Sequence, residues 1–288
     1  MKKLNTEGLM SETNKEQNIL DLDPDIAELL ADPLSKRPVP PTFFPLVNGI
    51  FDARVLLKNT RGFSEWMKGQ DKFETWETSG AGYEEELKAY MAEIDYDRPV
   101  YEHYRMGGLI LDVGGGVGTV REFLPSTVKF VSIDPFINAV HNIPPAKKNA
   151  YRCLSQKLNF VAATAEFVPF VAEAFDWVHM RSVLDHVQVP ELALLEALRV
   201  LNSGGRVLIG VSVEGGKTGR IGSKRRMKKI IKKGLELVGI DAWKDHHTWH
   251  PTHKSLIKLI EDNGFHVEDV YWQPYWRDQV CYVCARKA

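Results

Sequence analysis

The stretch LILDVGGGVGTVREFLPSTVKFVSID, residues 109–134, restricts the fold more than any other part of the chain. It reads as strand, Gly-rich turn, helix, strand and acid. Residues 109–113 form a short apolar run interrupted by Asp112, and Gly114, Gly115, Gly116 and Gly118 follow where a Cβ would block close approach to the backbone. A second β-rich run at 129–133 stops on Asp134, an acid at the carboxyl end of a strand. In an open parallel sheet that edge is where ligands bind. The pattern predicts an α/β fold.

The glycine spacing narrows the ligand. A dinucleotide fingerprint requires G-x-G-x-x-G, whereas here the third glycine of the series Gly114, Gly116, Gly118 falls one residue early and Thr119 stands where that pattern needs Gly or Ala. The order Asp112-x-Gly114-x-Gly116-x-Gly118, with Asp134 following, instead resembles the class I S-adenosylmethionine-dependent methyltransferases. In that family the turn meets the methionine and ribose portions of S-adenosyl-L-methionine, and the second acid grips the ribose hydroxyls. The alternative without a ligand is a plain strand-to-helix turn.

The chain beyond Asp134 continues the resemblance. A third strand at 158–163 leads into Thr164-Ala165-Glu166, similar to the pair that approaches the adenine in the family. Phe175-Asp176-Trp177-Val178 opens a fourth strand, which runs on to Arg181 and Asp185-His186, the end that in the family faces the transferring methyl. Val189-Pro190 starts a helix with an apolar face of Leu192, Leu195, Leu198, Val200 and Leu201, and the turn 202–205 precedes a fifth strand at 206–211. Residues 266–272 and 280–285 supply the last two. The resemblance implies a Rossmann-like, mostly parallel sheet of seven strands with the last antiparallel. It also implies a cofactor site of Asp112, Gly114, Gly116, Gly118, Asp134, Pro135, Ala165, Glu166 and Arg181.

Residues 1–20 are polar and without periodicity, which predicts a disordered tail. Residues 21–98 form an N-terminal extension and 99–288 the methyltransferase domain, with Asp97-Arg98-Pro99 as the boundary. Within the extension, the frame ELLADPLSKRPV followed by FFPLVNGIFDAR resembles the small zinc-ribbon family that includes the activator subunit of tRNA and protein methyltransferases. Asp32 stands where that ribbon has cysteine, and no cysteine precedes Cys153. Four ligands are needed to close a structural zinc site, so no metal is expected. The aromatic, charged segment 61–76 and the helical spacing of Tyr83, Leu87, Tyr90, Met91 and Ile94 read either as a lid over the cofactor cleft or as fastening for the extension.

Two segments bear on the acceptor. Residues 217–233 carry nine Lys or Arg and no acid, and Met227, Ile230, Ile231, Leu235 and Val238 recur at helical spacing. This basic amphipathic stretch suits a phosphorylated acceptor, a membrane surface, or a solvated helix packed on the domain; the net charge of -1 disfavours bulk nucleic-acid binding. Four of the nine histidines fall at 246, 247, 250 and 253. This cluster reads as acceptor-site chemistry, as helix capping and aromatic packing, or as metal ligation, in that order.

Methyl transfer to a hydroxyl needs a proton removed near neutral pH. His186 is the first candidate base and His247 and His250 the next, with Asp185 either orienting His186 or lying on the cofactor side. The segment 245–253 also resembles methyltransferases encoded with bacterial surface-polysaccharide pathways. The expected acceptor is therefore a small molecule or glycan, with O-methylation of a sugar hydroxyl in polysaccharide or secondary-metabolite biosynthesis the leading reading. A quinone precursor, a tRNA, and a non-catalytic cofactor-binding subunit are the alternatives. The composition, 44% apolar and 26% charged, without a leader-like or membrane-spanning apolar run, is that of a soluble protein expected in the cytoplasm. Cys281 and Cys284 lie three apart in a strand, so they should face opposite sides and serve packing.

Overall fold

The computed structural model describes residues 20–60, 62–219, 247–274 and 279–288. The tail at 1–19, the basic stretch from residue 220 onward, Asp245 and His246 lie outside them.

Nine strands form one sheet among the described residues. They are β1 (Leu46–Val47), β2 (Ile50–Asp52), β3 (Leu109–Val113), β4 (Lys129–Asp134), β5 (Phe160–Ala162), β6 (Phe175–Arg181), β7 (Leu201–Ser212), β8 (Phe265–Trp272) and β9 (Val280–Lys287). Their spatial order is β1-β2-β5-β4-β3-β6-β7-β9-β8. The central strands β3 and β4 bury nearly every residue, which is why they read as apolar runs without alternation. Strand β9 runs antiparallel to both β7 and β8, as expected of the last strand. Cys281 packs in the core on one face and Cys284 in that on the other.

The strand count exceeds the expected seven because the extension joins the sheet. Asn48 and Gly49 both have positive φ, 54° and 79°, the conformation of a two-residue I′ hairpin turn. That turn pairs β1 with β2, and β2 then adds in parallel to the edge of β5. Ile26 and Leu30 are fully buried in the same core as the central strands. In the frame that resembles a zinc ribbon, Asp32 closes a turn by accepting from Leu34 N at 3.1 Å and from Ser35 Oγ at 2.6 Å.

The helices are α1 (Pro24–Ala27), α2 (Phe63–Thr78), α3 (Tyr83–His103), α4 (Ile137–His141), α5 (Pro145–Ala150), α6 (Pro190–Val200) and α7 (His253–Asp262). Three differ from the sequence reading. Helix α3 runs through Pro99, where the boundary between extension and domain was expected. Proline removes a helical hydrogen bond, but Tyr90, Ile94, Asp97, Val100 and Tyr101 form a buried stripe on both sides of it, so packing holds the helix together. The Gly turn is followed only by a 3-10 turn, Thr119–Phe123, which ends ahead of Pro125. Helix α6 buries Ala193, Leu194 and Ala197 together with the predicted Val200, and of the predicted face only Leu195 is exposed. Residues 202–205, expected as a turn, belong to β7, whose register against β6 shifts there.

Candidate functional site

The sheet order reverses at β3, which has β4 on one side and β6 on the other. Above the carboxyl ends of these strands lies a cavity of about 680 Å³, within the range of small-molecule sites. Its floor is Val113 to Val117 of the turn, Asp134 to Phe136 after β4, Ala163 to Glu166 after β5, and Arg181 to Val183 after β6. Helices α2 and α3 roof it with Trp66, Gln70, Phe73 and Glu93. Residues of the extension therefore line the cleft.

The turn is held from below. Asp112 is 2% exposed and does not line the cavity. Its Oδ1 accepts from His179 Nδ1 at 2.7 Å, and the other ring nitrogen of His179 meets the Tyr101 hydroxyl at 3.0 Å. A Cβ on Gly115 would stand 2.1 Å from Asp112 Oδ2 and 2.6 Å from Ser132 Oγ. The carboxylate therefore occupies the space beneath the turn, and only glycine lets the chain pass over it. Gly114, with φ 66°, faces Val183, whose Cγ2 would lie 2.5 Å from an added Cβ. Gly118 packs against Leu158 and Arg121 and lies off the cavity.

Asp134 is 3% exposed, and its two oxygens accept from Gly116 N at 3.1 Å and Phe136 N at 3.0 Å. It joins the turn of β3 to the end of β4, with its carboxylate at the cavity floor. Glu166 also lines the cavity, yet its Oε1 accepts from Gln188 N at 2.8 Å and Val189 N at 3.3 Å, backbone groups just ahead of α6. Burial pushes its carboxyl above the ordinary range, partly offset by those two N–H donors. Arg181 donates to Glu93 Oε1 at 2.9 Å and pairs with Asp97 Oδ2 at 2.9 Å. Glu93 Oε1 also accepts from Thr119 Oγ1 at 3.1 Å. Through these bonds α3 is tied to both the Gly turn and β6.

Of the candidate bases, His186 lines the cavity, edge-on to Phe73 with ring centroids 5.2 Å apart. His247 lies behind it, its ring 4.3 Å from that of His186 and 5.6 Å from that of His250. Asp185 pairs with His247, Oδ2 to Nε2 at 3.5 Å. His179 and Glu93, which position the turn and the lid, were missed. His179 reads as an ordinary strand residue until its register opposite Asp112 is known.

The donor set fits S-adenosylmethionine in kind: backbone of a Gly turn, a carboxylate at the end of the neighbouring strand, and a volume large enough for cofactor and a small acceptor. Residues 111–209 match the family model described as a methyltransferase domain. Two curated relatives are the ubiquinone/menaquinone biosynthesis C-methyltransferases UbiE of Sinorhizobium fredii and Agrobacterium fabrum. The first is 36% identical over 113 residues, covering 38% of this chain and 42% of the relative. The second is 38% identical over 108 residues, covering 35% and 39%. The chain thus spans about two fifths of the length of these relatives.

Among solved structures, a chain of the complex between the Trm112 methyltransferase activator of Haloferax volcanii and a methyltransferase is similar with a TM-score of 0.51 at 15% identity. That match covers 75% of this chain and 97% of the other. The PH0226 protein of Pyrococcus horikoshii gives a TM-score of 0.51 at 13% identity, covering 69% and 91%. These two likenesses are of fold.

Proposed function

With a class I methyltransferase domain at the centre of the chain, we propose that it binds S-adenosylmethionine in the 680 Å³ cavity and methylates a small-molecule acceptor there. One observation carries this: the Gly turn, Asp134, the segment 163–166 and His186 come from four different strand ends and line a single cavity. S-adenosylmethionine supplies, when bound, a methyl group on a sulfonium, open to in-line displacement.

The protein's part is to hold, orient and dry the reactants. Asp134, which lines the cavity, would accept from the ribose hydroxyls. Trp66 and Phe73 of the roof add apolar aromatic surface to the cavity wall. His186, with His247 behind it, stands where an acceptor proton can be taken by an imidazole whose ordinary pKa lies near neutrality.

We favour a hydroxyl acceptor, a sugar or glycan in polysaccharide or secondary-metabolite biosynthesis, because an oxygen nucleophile is the kind that needs such a base. A quinone precursor is a second reading, supported by the relatives named as ubiquinone/menaquinone C-methyltransferases and by the aromatic roof. The experiment is a methyl-labelled S-adenosylmethionine assay on parallel panels of glycans, sugar derivatives and hydroxylated aromatic rings, with products identified by mass spectrometry. Label on a sugar oxygen supports the first reading; label on an aromatic ring carbon replaces it with the second. Cofactor turnover on neither panel contradicts both.

A further inference from the structure

We propose that Asp185, His186 and His247 form a binding site for a divalent first-row transition-metal ion beside the cavity wall that His186 contributes. A carboxylate oxygen and one nitrogen from each imidazole all lie within 4.8 Å of one another. The Asp185 Oδ2 to His247 Nε2 separation is 3.5 Å. Tetrahedral zinc, about 2.0–2.1 Å from each ligand, sets its ligand atoms about 3.3 Å apart. The His247 side chain is 39% exposed, so its ring can adjust without disturbing the core.

A second observation points to a cation. Asp185 is 4% exposed, and its Oδ1 has no hydrogen-bond partner among the described residues. A buried carboxylate oxygen without a donor is costly, and a metal ion is one way to satisfy it. The backbone fixes the arrangement. Thr248 N donates to the Asp185 carbonyl at 2.8 Å, and Thr248 Oγ1 donates to the carbonyls of Asp185 and Val187 at 3.1 and 2.5 Å. These bonds seat His247 against the turn that carries Asp185 and His186, two segments sixty residues apart in sequence.

Two imidazoles and one carboxylate suit zinc or iron(II), cobalt(II) and nickel(II), and not magnesium or calcium, which take oxygen ligands. Three protein ligands leave a coordination position open, and one of the three, His186, lines the cavity. The sequence expectation of no metal looked for thiolates in the extension and for ligands within 246–253. The site instead pairs one histidine of that cluster with the end of β6. With the ion bound, His186 is a ligand and is no longer free to act as the base. That consequence rests on the proposed methyl transfer; the site itself does not.

The test uses the full chain, free of any histidine tag and stripped with chelator, titrated calorimetrically with Zn²⁺ and followed by visible absorption with Co²⁺. The expected result is stoichiometric zinc binding and cobalt bands of a four- or five-coordinate site. His247→Ala and Asp185→Asn should each weaken zinc by at least about tenfold, the lower end of losses seen even for groups outside the ligand set. His250→Ala should keep it. Absence of zinc binding by the wild-type chain, full affinity in His247→Ala, or loss in His250→Ala alone would overturn the assignment. Since His247 is partly exposed, its variant reads out binding in a folded chain. S-adenosylmethionine titrated separately distinguishes the two ideas: zinc bound without cofactor binding sinks the methyltransferase reading and leaves the metal site standing.

Discussion

Asp112 and His179 face each other at paired positions of adjacent parallel strands, Oδ1 to Nδ1 at 2.7 Å, both almost wholly buried. The Tyr101 hydroxyl closes the far side of the imidazole at 3.0 Å. A helix of the roof, the strand that ends beside His186, and the acid beneath the Gly turn are therefore joined by two hydrogen bonds. Asp112 shapes the turn from below and does not reach the cavity.

The first prediction follows from that relationship. Asp112→Ala leaves a buried imidazole without its acceptor, and hydrogen bonds to charged groups contribute about 1.5–3 kcal/mol. Urea unfolding should show a stability loss of that size, accompanied by weaker cofactor binding although the residue lies off the cavity. A variant of wild-type stability would show that the pair does not support the turn.

Neighbouring glycines should respond differently to one methyl group. An alanine Cβ at Gly115 would come within 2.1 Å of the Asp112 carboxylate, whereas one at Gly116 would meet nothing within 4 Å. Gly116→Ala should cost only the strain of its positive φ, about 1 kcal/mol. Gly115→Ala should displace the turn and abolish measurable cofactor binding. Equal affinities by calorimetry would contradict the reading of Gly115 as the residue that clears Asp112.

How much was legible depended on whether a residue's role was local. The strand bounds at 109–113, the Gly turn and the acid Asp134 are written in contiguous residues, and the structure places them as read. Helix α3 was divided at Pro99 because proline is a strong local signal, while the buried stripe from Tyr90 to Tyr101 that overrides it exists only once the helix packs. The Asn48-Gly49 dipeptide carries a hairpin signal not used in the sequence reading, and the addition of that hairpin to β5 depends on packing. Glu166 looked like an adenine contact, and its acceptance of two N–H groups ahead of α6 depends on a segment more than twenty residues away.

Glu166 also sets a pH dependence. Its carboxyl is raised in the folded protein, chiefly by burial, so the folded state keeps the proton to higher pH than the unfolded chain does. Stability is therefore favoured at low pH and falls as pH rises from the ordinary carboxylate range through the raised folded pKa. Glu166→Gln removes this contribution while keeping an acceptor oxygen for Gln188 N. The stability of the variant relative to wild type should grow as pH rises through that window, measured by urea midpoints at successive pH values. A constant difference across the window would show that the group does not titrate differently on folding.

The central claim is that the cavity binds S-adenosylmethionine with Asp134 on the ribose, and calorimetric titration of that cofactor into the wild-type chain and into Asp134→Ala and Asp134→Asn tests it most directly. Each charge-assisted bond to a ribose hydroxyl should contribute about 1.5–3 kcal/mol. The account predicts saturable binding by the wild-type chain and at least about tenfold weaker binding by Asp134→Ala. Asp134→Asn, which keeps the shape but only one acceptor oxygen for the two N–H groups of Gly116 and Phe136, should also bind more weakly. Unchanged cofactor affinity in both folded variants, or no binding by the wild-type chain, would contradict it.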